Sequence, residues 1–176
     1  MIPIQTVFFG LILLFGIIGG LRGWAKELLV SFSVILARFI EMVSIDYVPV
    51  LSGSLQALRA DDAKTWFYVR AILFILIISF GYATTIISSM LGTRARKEKL
   101  QDTLLGFFLG AINGFLITGM LWGFLHEKGY ELWGITAPTT AQALGIIPYL
   151  PLGWMEGPTL LVSVAIAFAF VLIVFI

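Results

Sequence analysis

The stretch from Asp102 to Gly123 constrains this chain more than any other. After Asp102 it carries no charge. Gly106, Gly110 and Gly114 recur every fourth residue, and Gly119 and Gly123 repeat that spacing one residue out of phase. At helical pitch these positions make a glycine face. In water each glycine would cost a helix roughly 1 kcal/mol against alanine, so an isolated soluble helix is a poor solution for this sequence. In lipid the backbone must bond internally, and small residues let two helices approach until their backbones touch. The stretch therefore reads as a membrane helix whose glycine face is covered by another helix.

Composition places the whole chain in the same setting. Apolar residues make up 60% and charged residues 12%, against about 25% charged in soluble domains, and the mean hydropathy is +1.03. The expected fold class is all-α, a polytopic integral membrane helix bundle. The 176 residues leave room for about four or five spans of 20 residues and little else. A net charge of +1 with a single basic cluster gives no electrostatic footprint for nucleic acid. The absence of cysteine removes disulfides, iron–sulfur clusters and thiolate chemistry.

Ile2 to Gly20 is uncharged and long enough to span. Arg22 and Lys26 follow this run, whereas a cleaved signal peptide carries its positive charge before the apolar run, so it reads as a retained first helix. Gly16 and Gly20, and again Gly19 and Gly23, are four apart, which makes this helix the natural partner for Gly106, Gly110 and Gly114. A second span runs from about Glu27 to Val43 and contains Arg38 and Glu41. Arg38 lies roughly 16 Å along the helix from Glu27, near the midplane. An unpaired charge there costs several kcal/mol, and Glu41, three residues on, can supply the countercharge. Ser44 to Lys64 reads as a loop with a core suited to the interface, and Thr65 to Leu91 as a third span, apolar apart from Arg70. Arg70 either snorkels outward or joins Glu41 in an intramembrane cluster with Arg38.

Beyond the glycine helix, residues 127–159 read as a proline-rich extracytoplasmic loop. Within it Ala141 to Leu152 reads as an interfacial or re-entrant piece anchored by Trp133, Tyr149 and Trp154. Residues 160–176 form a probable fifth, C-terminal transmembrane helix. The basic residues Arg22, Lys26, Arg94, Arg96, Lys97 and Lys99 fall in the first and third connections, against Arg59, Lys64 and Lys128 in the second and fourth. By the positive-inside rule the amino terminus is outside and the carboxy terminus inside.

Two segments go further than hydropathy. Arg22, Gly23 and Glu27 form an Arg-Gly-x-x-x-Glu turn after the first helix. Asp102, Leu105, Gly106, Gly110 and Gly114 form an Asp-x-x-Leu-Gly-x-x-x-Gly-x-x-x-Gly entry to the fourth. Together they resemble the colicin V production (CvpA) family of small four-helix inner-membrane proteins. The resemblance covers residues 1–126, which it makes a four-helix membrane domain. It implies a role in toxin production or export and in envelope maintenance, with no established reaction. It also places the chain as a multi-pass protein of the bacterial inner membrane. The chain departs from the family pattern after His126, where a further hydrophobic helix follows. If helices one and four pack glycine to glycine, Arg22 and Asp102 reach one depth, where they are expected to pair, with Asp102 also capping helix four.

No enzyme is indicated. The one histidine, His126, cannot build a two-histidine metal motif or a triad, and no phosphate loop is present. No cofactor or metal is expected, and pigment ligation by His126 is a weaker reading. Asn113, between glycines, suits an interhelical hydrogen bond. The leading expectation is a scaffold acting through the bilayer and membrane partners or as a homo-oligomer. The alternatives are a small channel or transporter using Arg38, Glu41 and Arg70, and an accessory subunit of an energy-converting complex.

Overall fold

A computed structural model describes residues 3–83, 99–130 and 137–175. The described chain is helical. Four helices are long and apolar enough to cross a membrane, and a bent pair at the C-terminal end supplies a fifth crossing if it counts as one span. α1 spans Ile4–Arg22 and α2 spans Trp24–Asp46. A single residue, Gly23, separates them. Its φ of 90° and ψ of 154° lie in a region that residues with a Cβ hardly enter, so the chain can reverse there in one step.

The expectation of a loop over Ser44 to Lys64 is corrected, because α3 occupies Pro49–Asp61. Proline stands in its first turn, where its missing N–H costs nothing, and no further proline interrupts the run. α3 buries none of its residues and lies outside the core. Asp62 then starts α4, Ala63–Ala83. Its Oδ1 accepts the backbone N–H of Lys64 at 3.1 Å and of Thr65 at 3.0 Å, and its Oδ2 accepts the Thr65 hydroxyl at 2.6 Å. This is a helix N-cap. The Thr65 hydroxyl, helped by the Thr65 N–H, holds the Asp62 carboxyl below its ordinary pKa. The cap therefore contributes at neutral pH and is lost as pH falls through that lowered value. The third expected span, Thr65 to Leu91, is helical as far as Ala83, and its remainder lies outside the described residues, as does the basic segment from Arg94 to Lys97.

α5 runs Lys99–Glu127, about two turns before Gly106 and one turn past Gly123. It lies antiparallel to α1, since Gly19 meets Gly106 and Gly110 while Ile12 and Phe15 meet Gly114. A methyl group on Gly110 would overlap the Phe15 carbonyl and stand 2.8 Å from Gly19 Cα. One on Gly114 would stand 2.8 Å from Phe15 Cβ. Gly16 lies under the Phe107 ring, and Gly20 lies beside Thr103.

The shift of phase in the glycine pattern has a separate meaning. Gly119 and Gly123 face Pro151 and Leu152, at 2.6 Å and 2.7 Å from an added Cβ, and Gly119 meets α1 only at the edge of the Phe8 ring, at 3.6 Å. Three short pieces supply that partner: α6 at Ala141–Ile146, a 3-10 turn at Ile147–Tyr149 and α7 at Pro151–Trp154. Ala143, Leu150, Pro151 and Met155 are buried. Ala141 to Leu152 thus packs against α5 through these residues; Trp133, one of its expected anchors, lies outside the described residues. After a bend of 63°, α8, Gly157–Phe175, returns along α2, with the Phe32 and Phe170 rings 5.4 Å apart. The core between these layers is built from Val30, Val34 and Ala37 of α2, Phe74 and Ile78 of α4, and Met120 and Phe124 of α5.

Backbone contact through α1 and α5 leaves no space for a side chain. Gly110→Leu should destabilise the protein in detergent by about 1–3 kcal/mol or more, as overpacking of a tight core does. Gly10→Leu, with nothing within 4 Å, should leave the thermal midpoint in place. Equal midpoints for the two variants would show that α1 and α5 do not rely on this contact.

Candidate functional site: two buried charge networks

One face of α2 carries all its buried residues but Ala25: Glu27, Val30, Val34, Ala37, Arg38, Glu41 and Ile45. Their spacing of three and four is that of a single helical stripe. The middle of the stripe is apolar and its two ends are charged. α2 therefore presents one polar node at each end of the bundle.

At the first node Glu27 is fully buried. Its Oε1 accepts Arg22 Nη1 at 2.6 Å, and its Oε2 accepts Asn113 Nδ2 at 2.9 Å. Asn113 also donates to the Glu27 carbonyl at 2.8 Å, and its Oδ1 accepts the Ser31 hydroxyl at 2.7 Å. Every strong bonding position of the amide side chain has a partner, which is what a buried amide requires. Arg22 Nη2 donates to the Tyr82 carbonyl at 3.2 Å, and the guanidinium lies 4.3 Å from the Tyr82 ring centre. The C-terminal ends of α1 and α4 thus meet at this node.

Arg22 does not pair with Asp102. The Asp102 carboxylate accepts the Trp24 N–H at 3.2 Å, capping α2. The cause is the turn at Gly23, which aims the first free N–H of α2 at α5. A buried carboxylate on the next turn, Glu27, meanwhile holds the arginine. The Asp102 oxygens stand 3.0 Å from where a Gly23 Cβ would lie, so close approach and positive φ both call for glycine there.

The second node is a chain of alternating charges. Arg38 Nη1 donates to Glu41 Oε2 at 2.9 Å, and Arg70 Nε donates to Glu41 Oε1. Arg70 Nη1 reaches Glu127 Oε2 at 2.6 Å, and Arg59 Nη2 reaches Glu127 Oε1 at 2.9 Å. At the other end Arg38 Nη2 lies 3.4 Å from Glu156 Oε1, and Arg38 Nε donates to the Met155 carbonyl at 3.2 Å. The chain links α2, α3, α4, α5 and the bend before α8, and its six formal charges cancel. Its centre, Arg38, Glu41 and Arg70, is buried, and the Arg70 guanidinium sits 4.0 Å from the Phe124 ring centre. Arg38 lies about 12 Å from the C-terminal end of α2 and so toward one side of the bundle.

Sequence reasoning missed Arg59, Glu127 and Glu156 as members. The available signal was charge arithmetic: two buried arginines against one glutamate leave a positive charge that must find another carboxylate. His126 stands next to this node without joining it. Its Nδ1 is 3.0 Å from the Tyr130 hydroxyl, which accepts the Trp122 indole N–H at 2.9 Å. Burial pushes the Tyr130 hydroxyl pKa up. Among the described residues no group of three or more histidine or acidic side chains is arranged to hold a metal ion.

These features define a multi-pass helical membrane protein, closed by glycine contacts and carrying compensated charges at both ends of one helix. The chain matches the family Colicin V production protein over residues 4–131, and it belongs to that family. The match covers α1 to α5 and stops before the docked C-terminal pieces. Neither the curated proteins nor the solved structures contain a significant match.

Glu41 is shared by two arginines, so its loss takes the closer carboxylate from Arg38 and leaves Arg70 with Glu127 alone. Glu41→Gln should lower unfolding stability in detergent by about 3–5 kcal/mol, the usual cost of breaking a buried pair. Arg38→Met combined with Glu41→Leu should recover much of that loss, because Arg70 keeps Glu127 and the desolvation penalty leaves with the charges. A double variant no more stable than Glu41→Gln would contradict the pairing.

Proposed function

We propose that this protein is a non-enzymatic scaffold of the bacterial inner membrane that takes part in the production or export of the toxin colicin V through membrane partners. The observation that carries the reading is the family match across α1 to α5. The compensated charges support it: Glu27, Arg38, Glu41 and Arg70 each have an opposite charge in contact, as in a rigid framework. Its amino terminus faces outward and the basic segment around Arg94 to Lys99 faces the cytoplasm. On this reading Glu27, Arg22 and Asp102 form the cytoplasmic node, and the Arg38, Glu41 and Arg70 chain lies on the outer side.

A second reading, a small conduit, draws on a cavity of about 350 Å³ beside Arg38, Glu41, Arg70 and Glu127. Ionisable groups in a membrane pathway carry the ion or proton, so the two readings separate on flux. Purified protein in liposomes should pass no ions above empty vesicles, and mild-detergent purification should retain defined membrane partners. Flux that disappears in a stable Arg38→Met/Glu41→Leu double variant would replace the scaffold with the conduit.

Orientation has its own check. A cysteine introduced at Ala95 should react in intact cells with permeant reagents only, and labelling by an impermeant reagent would invert the topology.

A further inference from the structure

α3 has the polarity of a soluble helix turned around. It joins the end of α2 to the start of α4. Both of those helices are long and apolar enough to span, so α3 sits where two spans leave the apolar layer. Its 13 residues make about 20 Å of helix, too short to cross and of a length found in interfacial pieces. Ser52, Gln56 and Arg59 fall on one stripe, at spacings of four and three. Two of them reach the bundle: Gln56 Nε2 donates to the Ile45 carbonyl at 3.4 Å, and Arg59 Nη2 to Glu127 Oε1 at 2.9 Å. Lys128 Nζ adds a bond to the Arg59 carbonyl at 2.7 Å. Leu51, Leu55 and Leu58 fall on the neighbouring stripe, and none of them is buried. Val50 is 85% exposed and Leu51 45%. A helix on a soluble protein packs its apolar stripe inward and leaves its polar side free. Here the polar side is tied to the protein and the apolar side chains are left partly uncovered.

We propose that α3 is an interfacial helix, with Val50, Leu51, Leu55 and Leu58 covered by the phospholipid acyl chains of the leaflet at this end of the bundle. The sequence suits that solvent, because Tyr47 to Leu58 carries no charge. Aromatic residues mark the same level. Tyr47, just before α3, is 71% exposed, and Tyr149 and Trp154 are exposed in the pieces docked at this end; rings with one polar edge settle at the headgroup boundary. The attraction is apolar. α3 has one basic residue, Arg59, which Glu127 already holds, and Asp61 and Asp62 follow it. Anionic headgroups therefore find no free cation on α3, in contrast to the lysine- and arginine-rich helices that bind charged membrane surfaces. The bond from Arg59 to Glu127 then joins the leaflet contact to the charge chain. The inference is independent of the scaffold reading and of which side of the membrane this end faces.

The chain has no cysteine, so a nitroxide can be placed at one site at a time through Val50→Cys, Leu51→Cys or Ala60→Cys. All three positions are exposed, and Ala60 lies at the charged end of α3. The full chain is reconstituted in phosphatidylcholine vesicles, and each label's collision rates are measured with oxygen, which concentrates in the acyl layer, and with a neutral nickel chelate, which stays in water. The expected result is a severalfold higher ratio of oxygen to chelate collisions at Val50 and Leu51 than at Ala60. Replacing part of the lipid by phosphatidylglycerol should leave those ratios unchanged. Equal ratios at all three positions would put α3 in water and overturn the proposal. Few collisions with either reagent at Val50 and Leu51 would also overturn it, since the helix would then be covered by a second copy or another part of the chain. Ratios that rise only with phosphatidylglycerol would replace apolar burial with headgroup attraction.

Discussion

A carboxylate shared by two buried arginines is the interaction on which one end of this bundle depends. Glu41 holds Arg38 on its own helix and Arg70 on α4. Both guanidinium groups are buried, so the positions of α2 and α4 are coupled through this shared carboxylate. The demand for neutrality then recruits the rest. Arg70 calls in Glu127 from the end of α5, Glu127 calls in Arg59 from α3, and Arg38 calls in Glu156 from the bend before α8. Four helices and the bend before α8 are thereby joined at one end of the molecule.

Glycine sets the geometry that makes this possible. Gly19, Gly106 and Gly110 bring the backbones of α1 and α5 into contact, and the same approach puts Asp102 beside the Trp24 N–H and Asn113 beside Glu27. The second glycine pair, Gly119 and Gly123, does the equivalent work for Pro151 and Leu152. That docking brings Met155 and Glu156 to Arg38. One helix, α5, therefore positions both polar nodes while contributing only Asn113, Asp102 and Glu127 to them.

Much of this was legible from residue spacing. Glycines four apart on uncharged stretches mark close helix contact, and three residues on one helix bring Arg38 to Glu41, because both relations are local. The phase shift at Gly119 was visible, but its partner lay more than twenty-five residues downstream in short pieces without a periodic signal. α3 was hidden for another reason: Pro49, Gly53 and the serines beside it read as a loop, although Leu51, Leu55 and Leu58 recur at helical spacing. Pairings between distant elements, such as Arg70 with Glu127 and Asp102 with Trp24, depend on the packed arrangement. Arg22 and Asp102 matched in depth and sign, yet a carboxylate five residues away on the adjoining helix took the arginine.

The central claim is that Glu41 couples α2 to α4 through Arg70. A double-mutant cycle on Glu41→Gln and Arg70→Met, read by reversible unfolding in detergent, tests it most directly. The account predicts a coupling of about 1–3 kcal/mol, the range for contacting groups in one network. Effects that add to within about 0.5 kcal/mol, as they do for sites that share no partner, would contradict it.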